Sequence, residues 1–282
     1  MPLWRLPIDE KPQLNSCLGC GQTYLKDELT GLQYCSDCDR ILAVIPEGRT
    51  YMLMGESGSG KSVFLYKLMD LYVRSSRPCI YVAMDESPNQ LRRSLANFVG
   101  EMEQKERDGL LTFVDCYSCM GGLSSQEKYH IDSPRDLNGL AVLVSKLAVD
   151  LGGQAPVRLF IDSATAMFAH CESDAILKFL YSTSVRLKSQ GGSLFFTLNG
   201  GAVTTEMQKR LEQLADGVVE VQAKETLGVA KRHYRFSKVR GKMYFDTWLP
   251  FIVGERAIWL GPPEDAETRE RFYKVFQLIT SG

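Results

Sequence analysis

The chain has no run of about 18 apolar residues, the length a membrane-spanning helix demands, so no such helix is expected. Its opening stretch, Met1-Pro2-Leu3-Trp4-Arg5-Leu6-Pro7, has no continuous apolar core, and no secretory signal is expected there. Neither sign of charge is in excess: 33 Lys and Arg stand against 34 Asp and Glu, a net charge of −1. A global basic field for nucleic acid is thereby excluded, though a local patch is not. The three histidines (His130, His170, His233) show no ligand spacing, and there is no internal repeat or low-complexity tract. Of eight cysteines, four form two close pairs near the start, which fits metal binding in a reducing compartment better than disulfides. The expected compartment is the cytoplasm.

What is present is an ordinary globular composition over 282 residues, 44% of them hydrophobic, enough for one α/β domain and a small appendage. Three regions separate: 1–45 with the paired cysteines, 46–262 with alternating short apolar runs and helical patterns, and 263–282. In the middle region 50–54, 79–84, 111–116, 157–161, 193–198 and 218–221 read as buried strands of βαβ units in a mostly parallel sheet. The spacing of Leu91, Leu95, Phe98 and Met102 predicts a helix over 88–104. That of Leu137, Leu140, Val144, Leu147 and Leu151 predicts one over 134–151, opened by Ser133 and Pro134. The closely spaced segments 230–238, 243–248 and 256–260 read as antiparallel strands added to one edge.

Gly55-Glu56-Ser57-Gly58-Ser59-Gly60-Lys61-Ser62 matches G-x-x-x-x-G-K-[ST], with an apolar strand before it and a helical pattern from Val63 after it. The glycines let backbone N–H groups turn in on a phosphate, and the helix N-terminus adds its dipole. Lys61 is then placed for the β- and γ-phosphate oxygens and Ser62 for Mg²⁺. Asp162, ending the apolar run Val157 to Ile161, is the candidate for the Mg²⁺ side. Asp85 and Glu86 end another strand, expected to neighbour that of the phosphate loop. Glu86 is the first choice for activating water, with Asp85 or Ser87 capping the helix from Pro88 as the plainer reading.

The order of these motifs resembles the RecA superfamily and, within it, the KaiC-like ATPases, over roughly residues 46 to 255. The likeness is carried by Gly55 to Ser62, Met84-Asp85-Glu86-Ser87-Pro88, Leu159 to Ser163, Leu214-Ala215-Asp216-Gly217-Val218-Val219 and Lys238-Val239-Arg240-Gly241. It implies a RecA-like P-loop fold, an ATPase using ATP and Mg²⁺, and an acidic pair that activates water. That pair is commonly Glu-Glu, where this chain has Asp85-Glu86. It further implies that Lys238 and Arg240 act on the γ-phosphate held by the next subunit of a ring or filament, with a hexamer expected, and that Asn199 is a polar γ-phosphate sensor. Without the resemblance, Lys238 and Arg240 read as two solvated basic residues on a surface strand. KaiC has two ATPase halves, and this chain has one.

Cys17-Leu18-Gly19-Cys20 and Cys35-Ser36-Asp37-Cys38 form C-x₂-C-x₁₄-C-x₂-C, a spacing that brings four thiolates around one structural Zn²⁺ with a hairpin between them. Lys26 and Arg40 in this ribbon are offset by Asp27, Glu28, Asp37 and Asp39, which is no basic surface. Cys116 and Cys119 form a lone C-x₂-C, read first as small buried residues, with a redox pair or a shared metal half-site as alternatives. Phe272, Val275, Phe276 and Ile279 predict a short amphipathic helix over 265–279.

Three functions follow. The first is an ATP-driven oligomer that switches a protein partner. The second is a recombination ATPase on single-stranded DNA. Bacterial RadA/Sms proteins also join a four-Cys module to a RecA-like core, but their Lys-Asn-Arg-Phe-Gly element is absent here. The third is a nucleotide-binding scaffold without appreciable turnover, against which Lys61, Ser62, Asp162 and Glu86 stand.

Overall fold

The computed structural model describes residues 25–26, 33–34, 45, 47–96, 102–153, 155–226, 229–241, 244, 246–253, 258–260 and 267. Two short strands, β1 (Leu25–Lys26) and β2 (Gln33–Tyr34), pair antiparallel, Leu25 opposite Tyr34, where the hairpin between the cysteine pairs is expected. The main body runs β3 (Thr50–Gly55), α1 (Lys61–Arg74), β4 (Cys79–Ala83), α2 (Pro88–Leu95), α3 (Met102–Arg107), β5 (Leu111–Asp115) and α4 (Tyr117–Met120). It continues with α5 (Leu137–Leu151), β6 (Arg158–Asp162), α6 (Ala164–Met167), α7 (Ser173–Ser189), β7 (Ser193–Asn199) and α8 (Thr205–Leu214). Four strands close it: β8 (Gly217–Thr226), β9 (Val229–Val239), β10 (Leu249–Val253) and β11 (Ile258–Leu260).

Nine of these strands form one sheet in the order β11-β10-β9-β8-β3-β7-β6-β4-β5. The six from β8 to β5 are parallel, and β9, β10 and β11 extend the edge antiparallel. The fold is thus α/β with a mostly parallel mixed sheet and antiparallel edge strands. Alternate residues of each inner strand feed two separate cores, as the two-residue period of a strand buried on both faces requires. Tyr51, Leu53, Tyr81, Phe160 and Phe195 pack with Phe64, Leu68, Tyr72 and Leu91 on one face. Met52, Ile80, Leu159, Ile161 and Phe196 pack with Leu140, Val144, Phe179, Leu180 and Leu211 on the other.

Under α1 the parallel register lines up one aromatic ring per strand. Tyr51 stacks on Phe195 (5.3 Å), Phe195 on Phe160 (5.0 Å) and Phe160 on Tyr81 (6.3 Å), and Phe113 follows at 6.1 Å. Each such pair adds on the order of 0.5–1.5 kcal/mol beyond its buried area. The row fixes the relative height of five strands, and hence of the loops at their carboxyl ends.

Several expectations are corrected. Strand β4 does not neighbour β3, because β6 and β7 insert between them. Helix α1 is long enough for this: at 14 residues it spans roughly 21 Å and lies across β3, β7, β6 and β4. The helix expected over 88–104 ends at Leu95, and α3 begins at Met102. The helix expected from residue 134 begins at Leu137, because the Asp136 carboxylate takes the Gly139 N–H at 2.7 Å and supplies the cap in place of Ser133. The segment expected as a strand over 243–248 is irregular where described, and β10 starts at Leu249.

Candidate nucleotide site

Strand β3 delivers Gly55 to the carboxyl edge of the sheet, and the chain turns through residues 56–60 before α1 starts at Lys61. Gly55 can be nothing larger, since a β-carbon there would collide with the Val221 carbonyl oxygen. Gly60 has φ +103°, and a β-carbon on it would lie 2.8 Å from the Phe251 ring and 3.0 Å from Arg232 Cδ. Both positions need glycine, one for close approach and one for the left-handed backbone as well. Gly60 gives α1 no side-chain cap, so the first-turn N–H groups, those of Lys61, Ser62 and Val63 among them, have no capping oxygen. Glu56, Ser57 and Gly58 are exposed, whereas the buried Ser59 hydroxyl has no partner. Lys61 is buried and folds back, donating to the carbonyls of Gly55 (3.0 Å) and Glu56 (2.7 Å). Burial pulls its ammonium down from the ordinary lysine value, and the charges of Asp162 and Asp85 draw it back up.

Asp162 ends β6, two strands from β3, and is buried. Both carboxylate oxygens are held by hydroxyls: Thr197 donates to Oδ1 at 2.6 Å and Tyr81 to Oδ2 at 2.7 Å. The Asp162 carbonyl accepts the backbone N–H of Met84 (2.9 Å) and Asp85 (3.3 Å), which ties the acidic pair after β4 to the same point. Being next to β6 rather than β3 is therefore what brings Asp85 and Glu86 to this edge. Ser87 is the cap of α2, with a capping box to Gln90 and Pro88 in the first turn, so neither acid is spent on capping. Asp85 stands exposed at the rim, yet burial of its carboxyl pushes it up. Burial also raises Glu86, helped by the charges of Asp162 and Asp85, and Glu86 Oε2 is buried without a partner. Asn199 ends β7 directly opposite Gly55, and its N–H goes to the Thr165 hydroxyl at 2.8 Å.

These residues fit ATP with Mg²⁺. An uncapped helix start offers donors to phosphate, an orphaned buried hydroxyl lies beside it, and a buried carboxylate faces the lysine across the gap. Ser62 and Asp162 are the residues that would hold the ion.

Lys238 and Arg240 are elsewhere. Strand β9 runs antiparallel to β8, and Lys238 pairs with Val218, itself opposite Met52 near the start of β3. The phosphate loop leaves the other end of β3, about 10 Å away at the usual rise per residue. Both side chains are anchored at the amino edge. Lys238 Nζ donates to the carbonyls of Glu212 (2.6 Å) and Ala215 (2.8 Å), while Arg240 donates to Asp216 Oδ1 (3.1 Å) and the Gln213 carbonyl (3.2 Å).

A family model described as KaiC ATPase matches residues 32–265. The chain belongs to the KaiC family of ATPases. A UPF0273 protein from Aeropyrum pernix is 27% identical over 228 residues, which cover 79% of this chain and 90% of that protein. The circadian clock protein KaiC3 of Synechocystis is 23% identical, with 92% of this chain matching 49% of its length. Among solved structures, a KaiC-like protein from Pyrococcus horikoshii superposes with a TM-score of 0.62 at 23% identity, over 77% of this chain and 91% of that one. These likenesses do not favour the recombination-ATPase alternative.

One residue of this KaiC-family site escaped the reading of the sequence. Arg232 on β9 packs its side chain on Gly60, and its Nε is buried without a partner. The signal was there: Arg232 alternates with Tyr234 and Phe236, both buried under α1, so a cation shares an apolar strand face. Cys17, Cys20, Cys35 and Cys38 lie outside the described residues, as does the amphipathic helix expected over 265–279 apart from Glu267. Zn²⁺ is thus not supported, and among the described residues no group of three or more His, Cys, Asp or Glu is placed to hold a metal. Cys116 is buried, and Cys119 donates its thiol to the Cys116 carbonyl at 3.2 Å. Burial pushes both thiols up, which disfavours a reactive pair. No described helix is long and apolar enough to cross a membrane.

Proposed function

We propose that the protein binds ATP with Mg²⁺ and hydrolyses it slowly, at sites shared between neighbouring subunits of a hexameric ring in the cytoplasm. The nucleotide state of the ring acts as a switch on a protein partner. The observation that carries the reading is that Lys61, Asp162, Asp85 and Glu86 meet at one edge of the sheet while Lys238 and Arg240 sit at the opposite edge. Within one subunit the two halves of the constellation do not meet, and a second subunit reconciles them.

In this reading the first-turn N–H groups of α1 and the backbone of residues 55–60 bind the β-phosphate. Lys61 exchanges its two carbonyl acceptors for phosphate oxygens. Mg²⁺, when bound by Ser62 and Asp162, neutralises charge on the β- and γ-phosphates. Glu86 orients and deprotonates the attacking water, and its raised affinity for the proton makes it a better base than an ordinary glutamate. Asp85 assists as the second acid, and Asn199 faces the loop from β7. The neighbour's Lys238 and Arg240 stabilise the charge that develops on the transferring phosphoryl group, an effect on the order of 10³ or more in rate.

Size-exclusion chromatography with light scattering, with and without ATP and Mg²⁺, tests this on the wild type and on Arg240→Ala. Nucleotide-dependent assembly with turnover lost in the variant is expected. A monomer that hydrolyses ATP equally well with Ala at 240 overturns the shared site.

A further inference from the structure

Asp216 lies at the amino edge, just before β8, and is only 2% exposed. Its carboxylate is the meeting point of four segments. Oδ2 accepts the Thr50 N–H at the start of β3 (3.0 Å) and Lys188 Nζ from the last turn of α7 (2.9 Å). Oδ1 accepts Arg240 Nη1 (3.1 Å), with Arg49 Nη1 at 4.0 Å. The backbone repeats the tie, because Asp216 N–H goes to the Thr50 carbonyl and Arg240 N–H to the Asp216 carbonyl, each at 2.7 Å. One oxygen is thus taken by the scaffold, and the other is turned to the arginine. Burial alone would raise this carboxyl, but the Lys188 and Thr50 hydrogen bonds and the nearby cations hold it below the usual range. The charged form of the carboxylate is thereby favoured.

Around it the C-terminus of α8 presents carbonyls that no helical N–H can reach, a place that favours cations. Three of these carbonyls, Glu212, Gln213 and Ala215, are taken by Lys238 and Arg240. A bulge in the β8–β9 pairing, where Val218 faces Lys238 but Val219 faces Phe236, leaves Ser237 as the extra residue and re-aims the strand just before Lys238. Arg240 nevertheless keeps half of its side chain exposed (53%). A guanidinium offers five donors in a fixed plane, enough to be held on one side and to bind on the other.

We propose that Asp216 is a positioning residue: with the α8 carbonyls it forms a socket that fixes Arg240, and beside it Lys238, in the orientation a neighbouring subunit's phosphate needs. This rests on the shared-site reading above. A long basic side chain released from such a socket retains its charge but loses its preorganisation, so the effect falls on the transition state rather than on nucleotide binding.

Steady-state ATP turnover is measured for Asp216→Asn, Arg240→Ala, the double variant and Lys188→Ala. Asp216→Asn keeps an acceptor for Thr50 and loses the charge that orients Arg240. The expected result is a fall in kcat of at least tenfold with KM for ATP within twofold of wild type, and no further fall in the double variant. Lys188→Ala removes the cation that braces the scaffold oxygen, so it lowers the melting temperature and lowers kcat in the same direction as Asp216→Asn but by less. If Asp216→Asn does not fold, Asp216→Glu, which displaces the charge by one methylene, carries the same non-additivity test. Unchanged kcat in the Asp216 variant, or losses that multiply in the double variant, overturn the positioning role while the shared site stands. Full turnover in Arg240→Ala removes both.

Discussion

Tyr81 donates its hydroxyl to Asp162 at 2.7 Å, from β4 to β6, beneath the loop that binds phosphate in the proposed mechanism. The same carboxylate takes the Thr197 hydroxyl from the other side at 2.6 Å. Asp162 is thereby fixed between its two neighbouring strands, and the end of the aromatic row is joined to the site.

Removing either hydroxyl leaves a buried carboxylate oxygen short of a donor, which costs about 1–3 kcal/mol. Tyr81→Phe and Thr197→Val are expected to lower unfolding free energy by that amount in urea titrations. Both should also weaken the Mg²⁺ dependence of ATP binding. Unchanged stability in both would show that the carboxylate is not held as described.

Lys61→Ala removes the only lysine of the phosphate loop and the cross-brace to the Gly55 and Glu56 carbonyls. Affinity for a fluorescent ATP analogue is expected to fall by a factor of about 100 or more, in keeping with a lysine that faces two phosphates. A loss below tenfold would place the phosphates elsewhere.

Gly55→Ala puts a methyl group against the Val221 carbonyl oxygen, a backbone atom that cannot rotate away. The variant is expected to lose about 3 kcal/mol or more in stability, at the upper end for overpacking a rigid site. Gly58→Ala, with nothing within 4 Å of the new carbon, costs only the strain of its φ of +76°, roughly 1 kcal/mol. Comparing the two melting temperatures checks the distinction.

For Glu86 the sign runs against the usual carboxylate. Its folded pKa lies above the unfolded value, so the protonated form is favoured in the folded state. Its contribution to stability therefore rises as pH falls through the folded pKa, and the charged form is a cost at neutral pH. Glu86→Gln is expected to raise the melting temperature slightly at pH 7 while lowering kcat by about 100-fold or more, with ATP still bound. The acidic limb of the wild-type rate profile should lie above the ordinary glutamate range of about 4.3. A Glu86→Gln variant with wild-type turnover would remove the residue from catalysis.

Much of this could be read from residue order. The loop from Gly55 to Ser62 needs a strand before it and a helix after it, and local sequence dictates both. The apolar runs of the inner strands, and the Ser87-Pro88 helix start that leaves Asp85 and Glu86 unspent, are likewise short-range signals. The boundary errors have the same origin: Asp136 outcompetes Ser133 as a cap, and an apolar stripe over 88–104 does not reveal that α2 ends at Leu95.

What the sequence determined by itself is the chemistry of the phosphate loop and the set of buried strands, because backbone conformation and strand periodicity act over a few residues. Strand order was decided only in three dimensions. The row of rings from Tyr51 to Phe113 and a helix long enough to cross four strands set β7 and β6 between β3 and β4, and no local pattern encodes that insertion. The tertiary structure alone also places Arg232 on Gly60, and it gathers Thr50, Lys188, Asp216 and Arg240 at the amino edge. Those contacts join residues up to 172 positions apart, where only the packing of the whole sheet sets who meets whom.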